Sequence, residues 1–226
     1  NPQLPFGSEM SCARQLTRGF GLLTRQRGVF AALSGARDSR ALSSPPTPEP
    51  AGTADACDVH YSVFIDDKTS QQPSLRVAEA SALRDYGGRQ LMAGEISTVS
   101  CFENNPLVRA ALGERGEGRV LVVDGGASRR CALMGSEIAA MAAENGWNGV
   151  IINGCIRDSR EIAQIDLAVK AIGTVPLKSS KRDPGLRDVP VTFAGVTFNP
   201  GEHILADEDG IVTAFHNLKL FDVSSN

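Results

Sequence analysis

Short apolar runs and stretches of helical period alternate along most of this chain, and that alternation sets the expected architecture. Residues 119–123 (RVLVV) form a nearly continuous apolar run that ends in Asp124-Gly125-Gly126, as a strand covered on both faces does. Residues 149–153 (GVIIN) have the same form. Between the two, residues 133–145 place Leu133, Ile138 and Met141 among their apolar positions and stop at Gly146, which predicts a helix. Upstream, residues 75–86 read as a helix stopped by Gly87-Gly88, and residues 90–101, rich in Ile, Thr and Val, read as extended chain. Asn104-Asn105-Pro106 predicts a helix through Leu112, with an asparagine oxygen as the N-cap and proline in the first turn. Ser159 opens another helix, with Glu161 early in its first turn. Past Gly173, the segments 191–193, 196–198, 203–205 and 211–213, separated by Gly and Pro turns, predict antiparallel strands. The expectation is a mixed α/β domain with a central layer of strands.

The first 57 residues break this pattern. They hold six arginines (Arg14, Arg18, Arg25, Arg27, Arg37 and Arg40) against four acids, and no acid lies between Glu9 and Asp38. Residues 10–33 can form a helix with one cationic and one apolar side, the form of a mitochondrial presequence. A plastid transit peptide and a disordered basic tail on a cytoplasmic protein are the other readings. The run SSPPTPEP (43–50) reads as a linker that does not pack. Residues 1–57 are therefore expected to be a targeting segment and linker, largely disordered. Order is expected from near Asp58, in a catalytic domain of residues 58–226.

That body carries 17 basic and 22 acidic side chains, a poor footing for direct nucleic-acid binding, which needs clustered Lys and Arg. Apolar runs such as VLVV (120–123) are too short to span a bilayer. The five cysteines (Cys12, Cys57, Cys101, Cys131 and Cys155) never form a C-x-x-C pair, so reduced thiols are expected rather than a disulfide framework or a zinc site. His60, His203 and His216 stand apart, without H-E-x-x-H spacing.

Two strand ends carry candidate chemistry. Asp124 stands where one strand stops, followed by glycines free to adopt positive φ. Arg157-Asp158 follows the next strand through Gly154, just before a helix. Ligand crevices in α/β sheets open at such carboxyl ends; the plain alternative is a pair of turns with Arg157 and Asp158 neutralising each other. Asp158 and Glu161, three apart at a helix start, can share one side of a turn. Such a pair suits Mg²⁺, one ligand direct and the other through water. Arg157 offers a planar fork for a carboxylate. The helix opening at Gly135, Ser136, Glu137 and Ile138 offers free N–H groups for an anion. Together these groups suit a small 2-oxo acid. There is no G-x-G-x-x-G motif, and Gly125-Gly126-Ala127-Ser128 lacks the ending of a P-loop.

Residues 120–162 (VLVVDGGASRRCALMGSEIAAMAAENGWNGVIINGCIRDSREI), residues 189–212 (VPVTFAGVTFNPGEHILADEDGIV) and residues 101–112 (CFENNPLVRAAL) occur in order. They resemble the family of the regulator of ribonuclease activity A and 4-hydroxy-4-methyl-2-oxoglutarate aldolase, over roughly residues 58–221. The resemblance implies a swivelling β/β/α fold similar to phosphohistidine-type domains, homotrimers or hexamers made of paired trimers, and sites at subunit interfaces. Lyase members carry Arg-Asp, two residues, then Glu or Asp, and Arg157-Asp158-Ser159-Arg160-Glu161 matches. By that resemblance Arg157 binds substrate and stabilises an enolate. Asp158 ligates a divalent cation, Mg²⁺ or Mn²⁺, and Glu161 holds it through water.

The loop of Gly135, Ser136, Glu137 and Ile138 supplies substrate-binding backbone groups in the same scheme. The family glycine stands about twenty residues before the arginine; here twenty-one residues separate Gly135 from Arg157, and Ser136 takes the nearer position. Asp124 either orients a metal-bound water or caps its turn, and Arg129 and Arg130 read as surface or interface residues. The implied reactions are cleavage of 4-hydroxy-4-methyl-2-oxoglutarate to pyruvate and decarboxylation of oxaloacetate. Members that regulate ribonuclease E lack the metal-binding aspartate, so Asp158 favours catalysis; docking on a ribonuclease or helicase partner is the alternative.

Overall fold

The computed structural model describes residues 52–58, 75–182 and 185–215. The arginine-rich segment and the proline-rich linker lie outside the described residues. Packed structure begins before the expected Asp58: residues 53–58 form helix α1, and the N–H and hydroxyl of the buried Thr53 donate to Asp207 at 2.6 and 2.7 Å.

The centre of the fold is a run of parallel strands, β3 (Met92–Ser100), β4 (Val120–Asp124), β6 (Gly149–Ile156) and β7 (Ala168–Thr174), paired in that order. The expected strands at 90–101, 119–123 and 149–153 are all present, and the last continues to Ile156. Strand β7 was not anticipated, because its Lys170 interrupts the apolar run. In the structure that lysine is buried and pairs with Asp85 at 2.7 Å. Beyond β3 the sheet becomes antiparallel through β11 (His203–Ala206), β12 (Ile211–Ala214) and β1 (Leu75–Ala78). At the far edge β2 (Arg84–Asp85) pairs with β7, and β8 (Leu186–Arg187) pairs with β3. A separate hairpin joins β9 (Val191–Phe193) to β10 (Val196–Phe198). The late segments are thus antiparallel strands, as their spacing implied.

Two expected helices are corrected. Residues 75–86 form β1, a 3₁₀ turn (Ala80–Ala82) and β2 instead of one helix. Helix propensities among these residues differ by only tenths of a kcal/mol, whereas pairing with β12 satisfies the backbone of β1 and buries Leu75. Likewise, residues 133–145 are not one helix. Ala132–Met134 is strand β5, fully buried and paired with the end of β6, and helix α3 runs over Ser136–Glu144. Helix α2 (Pro106–Leu112) has Pro106 in its first turn as expected, but Asn105 does not cap it with oxygen; its amide donates to Leu133 O at 3.0 Å.

Side-chain alternation divides the core into layers. Leu121 and Val123 of β4 pack with Val108 and Leu112 of α2 and Ile138 and Ala142 of α3. Val120 and Val122 face the other way, against Val191, Val196, Phe198 and Ile204. Each of these Val, Leu, Ile and Phe side chains contributes about 1.5–3 kcal/mol on full burial. The result is a β/β/α sandwich around a mixed sheet, the fold class expected. Because β3, β4, β6 and β7 run the same way, their carboxyl ends meet at one edge, and Asp124 of β4 stands level with Asn153 of β6.

Candidate active site

Strand β5 assembles this edge. The Ala132 carbonyl accepts from Ser179 N–H at 3.2 Å, the Leu133 carbonyl from Asn105 Nδ2 at 3.0 Å, and the Met134 carbonyl from Arg157 N–H at 2.9 Å. Three consecutive carbonyls therefore fix three segments that are far apart in sequence. Satisfying buried carbonyls in this way is close to obligatory, so the positions of these segments follow from the fold.

Arg157 and Asp158 leave β6 together. Arg157 Nε lies 3.4 Å from Asp158 Oδ2, with side chains 39% and 36% exposed. So open a pair contributes no more than about 1 kcal/mol, and both side chains line the same cavity. Asp158 adopts the left-handed conformation (φ 57°, ψ 39°), a conformation that Asp tolerates better than most residues. Its Oδ2 also accepts from Ser136 N–H, at 3.3 Å, at the start of α3. Gly135 makes this approach possible: a Cβ there would stand 2.6 Å from Asp158 Oδ2.

The cavity, about 280 Å³, is lined by Gly135, Ser136, Glu137, Ile138, Arg157 and Asp158 among others. The structure thus brings together six of the eight residues singled out in the sequence. It adds residues the sequence reading missed: Asn105, Arg109, Lys178, Ser179 and Lys181. Asn105 and Arg109, at the cap and on the body of α2, fall in the 101–112 motif but were read there only as helix residues, and the other three sit in the polar loop after β7, where no motif marks them. Four cationic side chains (Arg109, Arg157, Lys178, Lys181) face two acidic ones (Glu137, Asp158), so the lining carries a formal charge of +2 and favours anions. Ser136, Glu137 and Ile138 in the first turn of α3 line the same space, and the positive end of that helix adds to the preference.

Asp124 and Glu161 do not line this cavity. Asp124 Oδ1 accepts from Gly126 N–H and from Asn153 Nδ2, both at 2.9 Å, so its carboxylate caps the turn after β4. Glu161 is exposed on the single turn α4 (Ser159–Ile162). Arg130 is exposed and pairs with Glu103 at 3.4 Å. His203 lies on β11, and His60 and His216 lie outside the described residues. Cys57, Cys131 and Cys155 form no disulfide, and burial, first among the causes, raises the pKa of all three thiols.

A divalent cation fits the donor chemistry of Asp158. The carboxylate is a hard oxygen ligand of the kind Mg²⁺ and Mn²⁺ take, and Oδ1 accepts no hydrogen bond among the described residues. No group of three or more His, Cys, Asp or Glu is arranged to hold a metal among the described residues. An ion bound to Asp158 would therefore fill its shell mainly with water and substrate oxygens, as Mg²⁺ commonly does.

The fold and this cavity define a β/β/α domain with a cationic cavity at the carboxyl ends of its parallel strands. A family model described as RraA-like, Aldolase/RraA, matches residues 53–213, and the chain belongs to that family. A relative from Alkalilimnicola ehrlichii, provisionally named 4-hydroxy-4-methyl-2-oxoglutarate aldolase, is 51% identical over 166 residues, 74% of this chain and 96% of the relative. A relative of the same name from Deinococcus radiodurans is 53% identical over 144 residues, 64% of this chain and 89% of its own. Among solved structures, the RNA-processing inhibitor RraA of Thermus thermophilus is 38% identical with a TM-score of 0.65, covering 73% of this chain and 92% of that one. A Geobacillus kaustophilus protein described as an S-adenosylmethionine: 2-dimethylmenaquinone methyltransferase is 48% identical with a TM-score of 0.66, covering 74% and 96%. The relatives' names thus diverge among an aldolase, an inhibitor and a methyltransferase, and the choice rests on the site.

Proposed function

We propose that this protein is a divalent-metal-dependent carbon–carbon lyase that cleaves 4-hydroxy-4-methyl-2-oxoglutarate to two molecules of pyruvate and decarboxylates oxaloacetate at the same site. The observation that carries this reading is the meeting of Arg157, Asp158 and the amino end of α3 in one cationic cavity. The aldolase names of the relatives support it.

In the cleavage, the C4 hydroxyl loses its proton, the C3–C4 bond breaks, and C4 becomes the carbonyl carbon of one pyruvate. The electron pair of that bond passes into the 2-keto group as an enolate, which takes a proton at C3 to give the second pyruvate. The Arg157 guanidinium pairs with the C1 carboxylate and meets the charge that develops on the enolate oxygen. N–H groups in the first turn of α3 face the same charge. Asp158 would hold Mg²⁺ or Mn²⁺, which when bound supplies Lewis-acid polarisation of the keto group. Oxaloacetate passes through the same enolate, with carbon dioxide as the leaving fragment.

The test is release of pyruvate by the purified chain with Mg²⁺ or Mn²⁺. Turnover of both substrates is expected, lost in Asp158→Ala. Absence of metal-dependent pyruvate from either substrate rejects the reading.

A second reading, docking on a ribonuclease, is supported by the likeness to the Thermus inhibitor. It predicts association with such a partner that Asp158→Ala leaves intact. The same proposal includes a homotrimer or hexamer, supported by exposed Phe102, Leu177 and Leu186 and tested by light scattering. It also includes mitochondrial delivery by the arginine-rich segment, tested by import of the full chain into isolated mitochondria.

A further inference from the structure

We propose that Glu137 is the catalytic base of this site: its carboxylate takes the proton of the C4 hydroxyl and returns it to C3 of the enolate. The inference rests on the lyase reading above and names the group that moves the proton.

The cleavage fixes what such a group must do. One proton leaves the C4 hydroxyl as the C3–C4 bond breaks, and one is gained at C3 as the enolate becomes pyruvate. The two pyruvates together carry the atoms and charge of the substrate, so a single acceptor that gives its proton back balances the step. Decarboxylation of oxaloacetate differs. Carbon dioxide leaves from a carboxylate that is already ionised, and no base is needed to break that bond.

The cavity offers few acceptors for the task. Arg109, Arg157, Lys178 and Lys181 are cations, which donate and do not accept. No histidine lines the cavity among the described residues, and its carboxylates are Asp158 and Glu137. Asp158 is engaged: its Oδ2 lies 3.3 Å from Ser136 N–H and 3.4 Å from Arg157 Nε, and it is the residue proposed to hold the cation. Glu137 is exposed, and its side chain has no hydrogen bond or ion pair among the described residues.

Helix α3 sets the place of this free carboxylate. Ile138, Ala139 and Ala142 pack into the core, which leaves Glu137 on the side open to solvent, at the cavity. Ser136 N–H reaches Asp158, and Glu137 follows Ser136 at the ordinary Cα spacing of about 3.8 Å. The base is thus carried by the residue next to the one that touches the proposed cation ligand.

Three readouts on the full chain with Mg²⁺ test this. They are pyruvate release from 4-hydroxy-4-methyl-2-oxoglutarate, carbon dioxide release from oxaloacetate, and exchange of the pyruvate methyl protons in deuterium oxide, followed by NMR. The exchange needs a base at C3 but breaks no carbon–carbon bond. Glu137→Gln keeps size and shape at an exposed, unpaired position, so the fold should be kept. It is expected to lower cleavage and exchange about 100-fold, within the range of a positioned base, and to lower the ratio of cleavage to decarboxylation by a similar factor. Glu137→Asp, which keeps a carboxylate, should restore part of both losses. Undiminished cleavage, equal losses in cleavage and decarboxylation, or full exchange in Glu137→Gln overturns this inference alone. A wild-type chain that releases no metal-dependent product from either substrate overturns the lyase reading and this one with it.

Discussion

A Cβ on Gly135 would stand 2.6 Å from Asp158 Oδ2 and 3.1 Å from Arg157 Nε. The backbone of Gly135 has φ −127°, a value open to any residue, so its need for glycine is one of space. The carboxylate and guanidinium reach their places only because nothing projects from this position.

Gly135→Ala should therefore separate activity from stability. The added methyl has to displace the carboxylate proposed to hold the metal and the arginine proposed to hold substrate. A shift of that size in a site of this kind lowers turnover by about 100-fold. The melting temperature should stay within a few degrees, since no buried contact is lost. Pyruvate release and a thermal melt, measured side by side, check both halves.

Asp158 allows a sharper separation, because its φ of 57° lies where glycine is favoured. Asp158→Ala and Asp158→Gly both remove the carboxylate and should both abolish metal-dependent pyruvate release. The glycine variant should nevertheless be the more stable by about 1–2 kcal/mol, the strain an alanine retains in the left-handed region. Urea denaturation midpoints of the two variants decide this.

Asp207 ties the start of α1 to the turn between β11 and β12. Burial works to raise its pKa, but hydrogen bonds from the Thr53 hydroxyl and from the N–H groups of Thr53, Gly210 and Asp209 together outweigh it, and the net shift is downward. A carboxylate with a lowered folded pKa adds stability above its unfolded value, near 3.9, and loses it as pH falls through the folded value. Asp207→Ala should cost about 2–3 kcal/mol at neutral pH. The difference from the wild type should shrink below about pH 3.9, as read from urea melts at both ends of that range.

Trp147 marks the opposite end of β6 from the cavity. It is 1% exposed, and its indole N–H donates to Glu114 O at 3.0 Å. Trp147→Ala should lower stability by about 3–5 kcal/mol. The length of β6, roughly 26 Å, separates it from Arg157, so pyruvate release per folded molecule should be unchanged. Normalising activity to the folded fraction tests this.

How much of this was legible in the sequence varied with the physics involved. Strands β4 and β6 show as apolar runs because both of their faces are covered, and Arg157, Asp158 and residues 135–138 follow from the turns that end strands. The misread helix at 75–86 has good helix formers, but its fate depends on residues 211–214, which no local pattern reveals. Strand β5 was absorbed into the following helix because three residues are too few to show a period. Lys178, Ser179 and Lys181 went unseen for a related reason: they lie in a polar loop, and long-range backbone bonds to Ala132 and Glu103 bring that loop to the site.

Strand β5 is three residues long, yet each of its carbonyls anchors a different wall of the cavity. A segment this short joins three walls, so a local opening of β5 would loosen all three together. Binding competence would then fail as one unit, ahead of global unfolding. Slow amide exchange at Ala132 and Ser179 would serve as an early gauge of it while the rest of the sheet still holds.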